Sequence, residues 1–138
     1  MSELPVLTVP GPRPLVPRIS AHTESFWTRL AGGTFGVAHC ECCGHLTFPP
    51  KAHCPACGSA GLGWVPVDGE GTVYSATTVH AAPALFAAGA PYVLVVLDLR
   101  EQVRLVTRWI GPQPACGAPA RLVLLQHDDG VLFGATST

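Results

Sequence analysis

Apolar and polar residues alternate with a period of two through much of the second half of the chain, the signature of strands with one buried face. Thr72 to His80 is rich in Thr, Val and Tyr. Pro91 to Leu99 is a nearly continuous apolar run, and Val103 to Trp109 sets Val103, Leu105 and Thr107 against Arg104 and Arg108. Ala120 to His127 and Val131 to Ala135 make two further strands, joined by Asp128-Asp129-Gly130, a hairpin turn signal. Five short strands separated by turns within residues 67–138 predict a small closed or partly open barrel of the OB type.

The first half follows a different pattern. Pro5, Pro10, Pro12, Pro14 and Pro17 fall within residues 1–19, a density that blocks both helix and central strand and predicts an extended arm, either a mobile tail or a segment lying along a partner. From Ser20 to Ala31, Phe26, Trp27 and Leu30 fall near helical spacing. Glu24 is early and Arg29 late, as the helix dipole prefers, and Gly32-Gly33 ends the segment. A short amphipathic helix is expected within residues 20–33.

Residues 34–66 carry the main chemical signal. Cys40-Glu41-Cys42-Cys43-Gly44 and Cys54-Pro55-Ala56-Cys57-Gly58 are two Cys-x-x-Cys pairs, each closed by a glycine able to take the left-handed conformation that finishes a tight turn. Ten residues separate Cys43 from Cys54, so two knuckles joined by a short hairpin bring four thiolates, Cys40, Cys43, Cys54 and Cys57, around one tetrahedral ion. Zinc is the expected metal, because it accepts four thiolates without redox chemistry, and iron in a rubredoxin-like site is its competitor. A four-cysteine set leaves no open position for a reacting water, so the expected role is structural. Cys42 is a third thiol in the first knuckle and an alternative to Cys43. His39, His45 and His53 flank the site as alternative ligands or as solvated residues.

Composition narrows the field. The 138 residues are 48% hydrophobic and 12% charged with a net charge of −1, which argues against both disorder and a surface that seeks polyanions, so nucleic acid is not expected as a partner. Fourteen prolines and fifteen glycines favour a mainly β fold with many turns. The opening residues lack the pattern of a secretory signal and no uncharged run is long enough to span a bilayer, so the expected compartment is the cytoplasm, without membrane association; there, clustered cysteines read as a metal site rather than disulfides.

From Phe26 to the C-terminus the motifs resemble those of the DUF35 family, in which a helical segment and a rubredoxin-like zinc ribbon precede an OB-fold. The resemblance rests on Phe26-Trp27, Cys40-x-x-Cys43-Gly44, Phe48-Pro49-Pro50 and Cys54-Pro55-x-Cys57-Gly58, then on Gly69-x-Gly71-Thr72-Val73-Tyr74-Ser75, Thr78-Val79-His80, Pro91-Tyr92 and Gly117-x-Pro119. It implies an accessory subunit that docks on a thiolase-like or lipid-transfer-type enzyme in a hetero-oligomer, supporting acyl transfer or carbon-carbon bond formation or cleavage, with acyl-CoA passing nearby. Cys116 departs from the family pattern and is expected to pack as a small buried hydrophobe.

No catalytic set emerges from His80, His127, Asp98, Asp128 and Asp129, so any reaction is expected to belong to another chain. Residues 81–90 contain no charge, and Leu85 and Phe86 either face a partner or lipidic ligand or cap the barrel. With His80, which opens that loop, and Phe26 and Trp27, they are the candidate contacts for substrate or partner; His127, beside the hairpin turn, is expected to be solvated. Two other functions are weighed against docking. An OB-fold binder of single-stranded nucleic acid lacks support from eight Lys plus Arg against nine Asp plus Glu, and a rubredoxin-like electron carrier leaves the barrel without a purpose.

Overall fold

The computed structural model describes residues 3–138. Its strands form two sheets. Strands β2 (Phe35–Cys40), β3 (Leu46–Thr47) and β4 (Leu62–Val67) make an antiparallel ribbon in the order β3-β2-β4. Strands β5 (Glu70–Val79), β6 (Tyr92–Leu99), β7 (Arg104–Trp109), β8 (Pro119–His127) and β9 (Gly130–Ser137) make the barrel. All five barrel strands fall where the alternation predicts them, each within two residues at either end.

The order β8-β5-β6-β7-β9, with β8 also paired to β9, closes the barrel in the OB-fold arrangement. The closing seam between β7 and β9 is parallel and has a single register pair, Trp109 with Ala135. Other hydrogen bonds strengthen it: Thr107 Oγ1 donates to the Phe133 carbonyl (3.3 Å), Thr136 Oγ1 to that of Ile110 (3.1 Å), and the Ile110 N–H to that of Ala135 (2.8 Å).

The inward face follows the strand period. Val95, Leu97 and Leu99 of β6 and Leu105, Thr107 and Trp109 of β7 are buried, whereas Arg104, Val106 and Arg108 point out. At Gly71 two backbones meet: a Cβ there would lie 2.2 Å from the Asp98 carbonyl oxygen and 2.9 Å from the Leu99 Cα. Rigid main chain cannot yield as a side chain end would. Gly71→Ala is therefore expected to cost roughly 2–3 kcal/mol in urea unfolding, with an unchanged m-value.

Helix α1 (Glu24–Ala31) is shorter than the segment from Ser20, because Ser20 to Thr23 form a turn in which the Ser20 carbonyl accepts from the Thr23 and Glu24 N–H groups (3.1 and 2.9 Å). Its buried residues, Phe26 and Leu30, pack between ribbon and barrel. The rings of Phe26, Phe35, Phe48 and Phe133 form one cluster, with centroids 5.1–5.9 Å apart, that joins helix, ribbon and β9.

The first part of the proline-rich arm, through Arg13, lies on the chain's own barrel rather than free. Strand β1 (Val6–Thr8) runs parallel to β8, pairing Val6 with Leu124 and Thr8 with Gln126. The prolines leave only a short edge strand, the position where proline is tolerated. Beyond it the arm crosses the β8–β9 turn. Asp128 N–H donates to the Gly11 carbonyl (3.0 Å), Gly11 N–H to Asp128 Oδ2 (3.1 Å), and Arg13 N–H to Asp129 Oδ1 (2.8 Å). The Arg13 main-chain N–H and, beside it, the Arg13 guanidinium hold the Asp129 carboxyl below its usual range.

This crossing corrects the expectation for His127, which is 8% exposed rather than solvated because the arm packs over the hairpin end. Cys116 departs in the opposite direction. It is exposed, since Gly117 and Ala118 dock by main-chain hydrogen bonds onto Val73 (2.7 and 2.9 Å) and leave the preceding side chain outside. Among the described residues, no helix is long and apolar enough to cross a membrane.

Candidate metal centre

Each knuckle is built by the same two hydrogen bonds. In the first, Cys40 N–H donates to the His45 carbonyl and Gly44 N–H to the Cys40 carbonyl, both 2.9 Å. In the second, Cys54 N–H donates to the Ser59 carbonyl (2.8 Å) and Gly58 N–H to the Cys54 carbonyl (2.9 Å). Gly44 and Gly58 have φ of 79° and 80°, so the turns use the left-handed conformation for which glycine is suited.

The knuckles face each other. The Sγ atoms of Cys40, Cys43, Cys54 and Cys57 all lie within 4.8 Å of one another, with Cys40 to Cys57 at 3.6 Å and Cys43 to Cys54 at 3.7 Å. Four sulfurs about 2.3 Å from a tetrahedral ion stand about 3.8 Å apart, so the cluster has the size a metal requires. Main-chain N–H groups add support from behind: Cys43 N–H donates to Cys40 Sγ and Ala56 N–H to Cys54 Sγ, both 3.4 Å. Cys40 and Cys54 are buried, whereas Cys43 and Cys57 sit on the outer side.

Crowding of the sulfurs shifts their protonation. The Cys43 N–H lowers the Cys40 thiol to about 6 against the opposing effect of burial. At Cys57 the Ser59 main chain lowers the pKa, but the sulfurs of Cys40 and Cys43 outweigh it and push the thiol up to about 12. The Cys43 thiol is raised as well, its His45 main-chain bond outweighed by burial and by the neighbouring sulfurs. A cation removes this conflict, and its binding must release protons from the raised thiols; metal affinity therefore rises with pH.

Cys42 is exposed and lies outside the four-sulfur group, so of the two adjacent cysteines it is Cys43 that faces the second knuckle. His39, on β2, is half-buried, and His45 and His53 are exposed; none joins the cluster.

The other candidate residues scatter. Phe26 is 2% exposed inside the aromatic cluster and presents no surface to a partner, because the helix turns it toward Phe35 and Phe133. Trp27 is half-buried beside it, at 5.0 Å between centroids. His80 is exposed just after β5. The uncharged loop contains a 3-10 segment, Ala84–Gly89, that divides its two large residues: Leu85 is 56% exposed, while Phe86 is half-buried and meets Tyr92 edge-on at 6.3 Å. Both line a groove of about 450 Å³ on the outer face of the barrel. Arg108, Leu125, Leu132 and the arm residues Val9 and Pro14 also line it. The uncharged loop marks one wall of this groove in the sequence, but the arm that forms the other lies about seventy residues earlier and carries no local sign of it.

Comparison with known proteins agrees with this architecture. Residues 27–63 match the rubredoxin-like zinc ribbon domain of ChsH2, and residues 64–125 match the C-terminal OB-fold domain of ChsH2. A DUF35 domain-containing scaffold protein of Methanocaldococcus jannaschii is 31% identical over 101 residues, covering 67% of this chain and 72% of that protein. A probable enoyl-CoA hydratase alpha subunit of Thermomonospora curvata is 36% identical over 121 residues, which are 85% of this chain but 36% of the longer relative. A chain of the solved Ltp2-ChsH2(DUF35) aldolase superposes with a TM-score of 0.78 at 30% identity, covering 88% of this chain and 98% of that one. With ribbon, barrel and their order all matched, this chain belongs to the DUF35 family, in its form of a ChsH2-type zinc ribbon followed by an OB-fold.

Proposed function

We propose that this chain is a zinc-stapled accessory subunit that docks on an enzyme of acyl-CoA chemistry, of the thiolase-like or lipid-transfer type, and that catalysis belongs to the partner. The observation that carries this reading is the match to the DUF35 chain of the Ltp2-ChsH2 aldolase, which extends over 98% of that chain. Relatives described as hydratase alpha subunits point to the same thioester chemistry, although this chain spans only 36–38% of their length.

The surface supports the reading. Leu15, Val16 and Ile19 on the arm, Tyr74 on β5, Leu85 on the 3-10 segment and Val106 on β7 are all exposed by 51% or more. Each offers an apolar side chain that a partner could cover. In this reading, residues 1–19 form the arm, 20–33 the helical segment, 34–66 the ribbon and 67–138 the barrel, with zinc held by Cys40, Cys43, Cys54 and Cys57. Leu85, Phe86 and His80 contribute to the contact with partner or acyl-CoA.

Co-expression with the enzyme encoded beside it is expected to give one complex on a sizing column and an activity that is absent from, or much weaker in, the partner alone. Leu85→Asp should weaken that complex about tenfold or more, by placing a charge in an apolar contact, without changing the melting temperature of the isolated chain. Full activity of the partner alone with no co-migration would overturn the proposal.

A further inference from the structure

The groove on the outer barrel face has the construction of a small-molecule site. Its floor is Leu94, Ile110, Leu125 and Leu132, and its walls are the 3-10 segment on one side and the N-terminal arm on the other. At about 450 Å³ it falls within the size range of ligand pockets. A methylene takes up about as much room as a water, roughly 30 Å³, so an extended chain on the order of a dozen carbons fits.

Tyr92, Arg108 and His127 bring polar groups to this lining, and neither Arg108 nor His127 is satisfied within the protein. Arg108 makes no ion pair among the described residues, whereas Arg104, four positions earlier on the same face, is held by both oxygens of Asp98 (2.6 and 3.1 Å). The Arg108 guanidinium lies instead over the Tyr92 ring, 5.6 Å from its centroid, beside Gly89 in the groove wall. His127 also lines the groove; it is 8% exposed, and its Nδ1 is buried without a hydrogen-bond partner among the described residues. A buried polar atom left unpaired is costly, and proteins keep few of them without a use. Among the described residues, no acidic side chain lines the groove.

We infer that this groove binds a small amphiphilic carboxylate: an aliphatic body lying on Leu94, Leu125 and Leu132 under Phe86, and a carboxylate held by Arg108. His127, when protonated at Nδ1, supplies a second donor. The site is complete in this one chain and requires no docking partner.

Dodecanoate is the probe, titrated below its micelle concentration into the full metal-loaded chain by calorimetry and by amide NMR. One saturable site is expected, with a Kd on the order of 10–100 μM for a ligand of about fourteen non-hydrogen atoms. Shifted amides should centre on Gly89, Arg108 and His127. Dodecan-1-ol should bind at least about tenfold more weakly, because it forfeits the charge-assisted contact. Arg108→Gln, an exposed position that does not hold the fold, should remove that preference. Ala88→Trp, which narrows the groove from the wall, should weaken both ligands. Absence of saturable binding, equal binding of acid and alcohol, or an unchanged acid preference in Arg108→Gln would each overturn the inference, and none of these results would bear on the docking of a partner.

Discussion

Cys57→Ser is expected to remove most of the bound metal and to lower the melting temperature by roughly 10–20 °C, the range that corresponds to a loss of several kcal/mol in a domain of this size. The outer part of the ribbon has little else to hold it. Phe35, Val37 and Val67 bury the ribbon's inner side in the common core, but Cys43, Gly44, Cys57 and Gly58 are all exposed, and few apolar side chains lie between the knuckles. Metal binding must therefore supply the free energy that packing does not. A serine hydroxyl at Cys57 is a poor substitute for a thiolate, and Cys42 lies outside the cluster.

The loss should be local. Hydrogen exchange should speed up at the Cys40, Gly44, Cys54 and Gly58 amides, whose bonds define the knuckles, while the amides of the β5–β6 pairing keep their protection. Metal analysis with the wild-type chain tests the ion itself, for which zinc at one per chain is expected. Unchanged metal content and melting temperature in Cys57→Ser would show that another residue completes the site.

What the sequence made legible follows from range. The barrel strands declare themselves because each has one face in the core, so a local period of two reports a global position. Knuckles are similarly local, with cysteine and glycine within five residues specifying the turn and the direction of the thiolates. The arm was not legible, because its strand exists only by pairing with Leu124 to Gln126, over a hundred residues away. His127 is buried by that same long-range contact. Cys116 is exposed because its neighbours dock on Val73, which hydropathy cannot register. The groove combines both difficulties, since its walls come from an arm and a loop whose meeting depends on the closed barrel.

Phe26 separates a structural reading from a surface one. Paired with Trp27 at the start of the family resemblance, it is a natural candidate for a partner contact, yet the helix turns it inward to 2% exposure among Phe35, Phe48 and Phe133. Phe26→Ala would leave a cavity at the one place where helix, ribbon and β9 meet. The loss combines the transfer free energy of the ring, the cavity term and the edge-to-face contacts, so about 3–5 kcal/mol is expected in denaturant unfolding of the isolated, metal-loaded chain. Relaxation is limited, because Phe35 and Phe133 are fixed on separate strands and cannot both move into the space. Leu85→Asp provides the contrast: it should weaken the complex with the partner while leaving the stability of the isolated chain unchanged. If Phe26→Ala unfolded at the wild-type denaturant midpoint and failed only in binding a partner, the aromatic cluster would not be the joint between ribbon and barrel. If it unfolds early with metal still bound, the joint and the metal staple are separate supports, one holding the ribbon to the barrel and the other holding the ribbon's knuckles together.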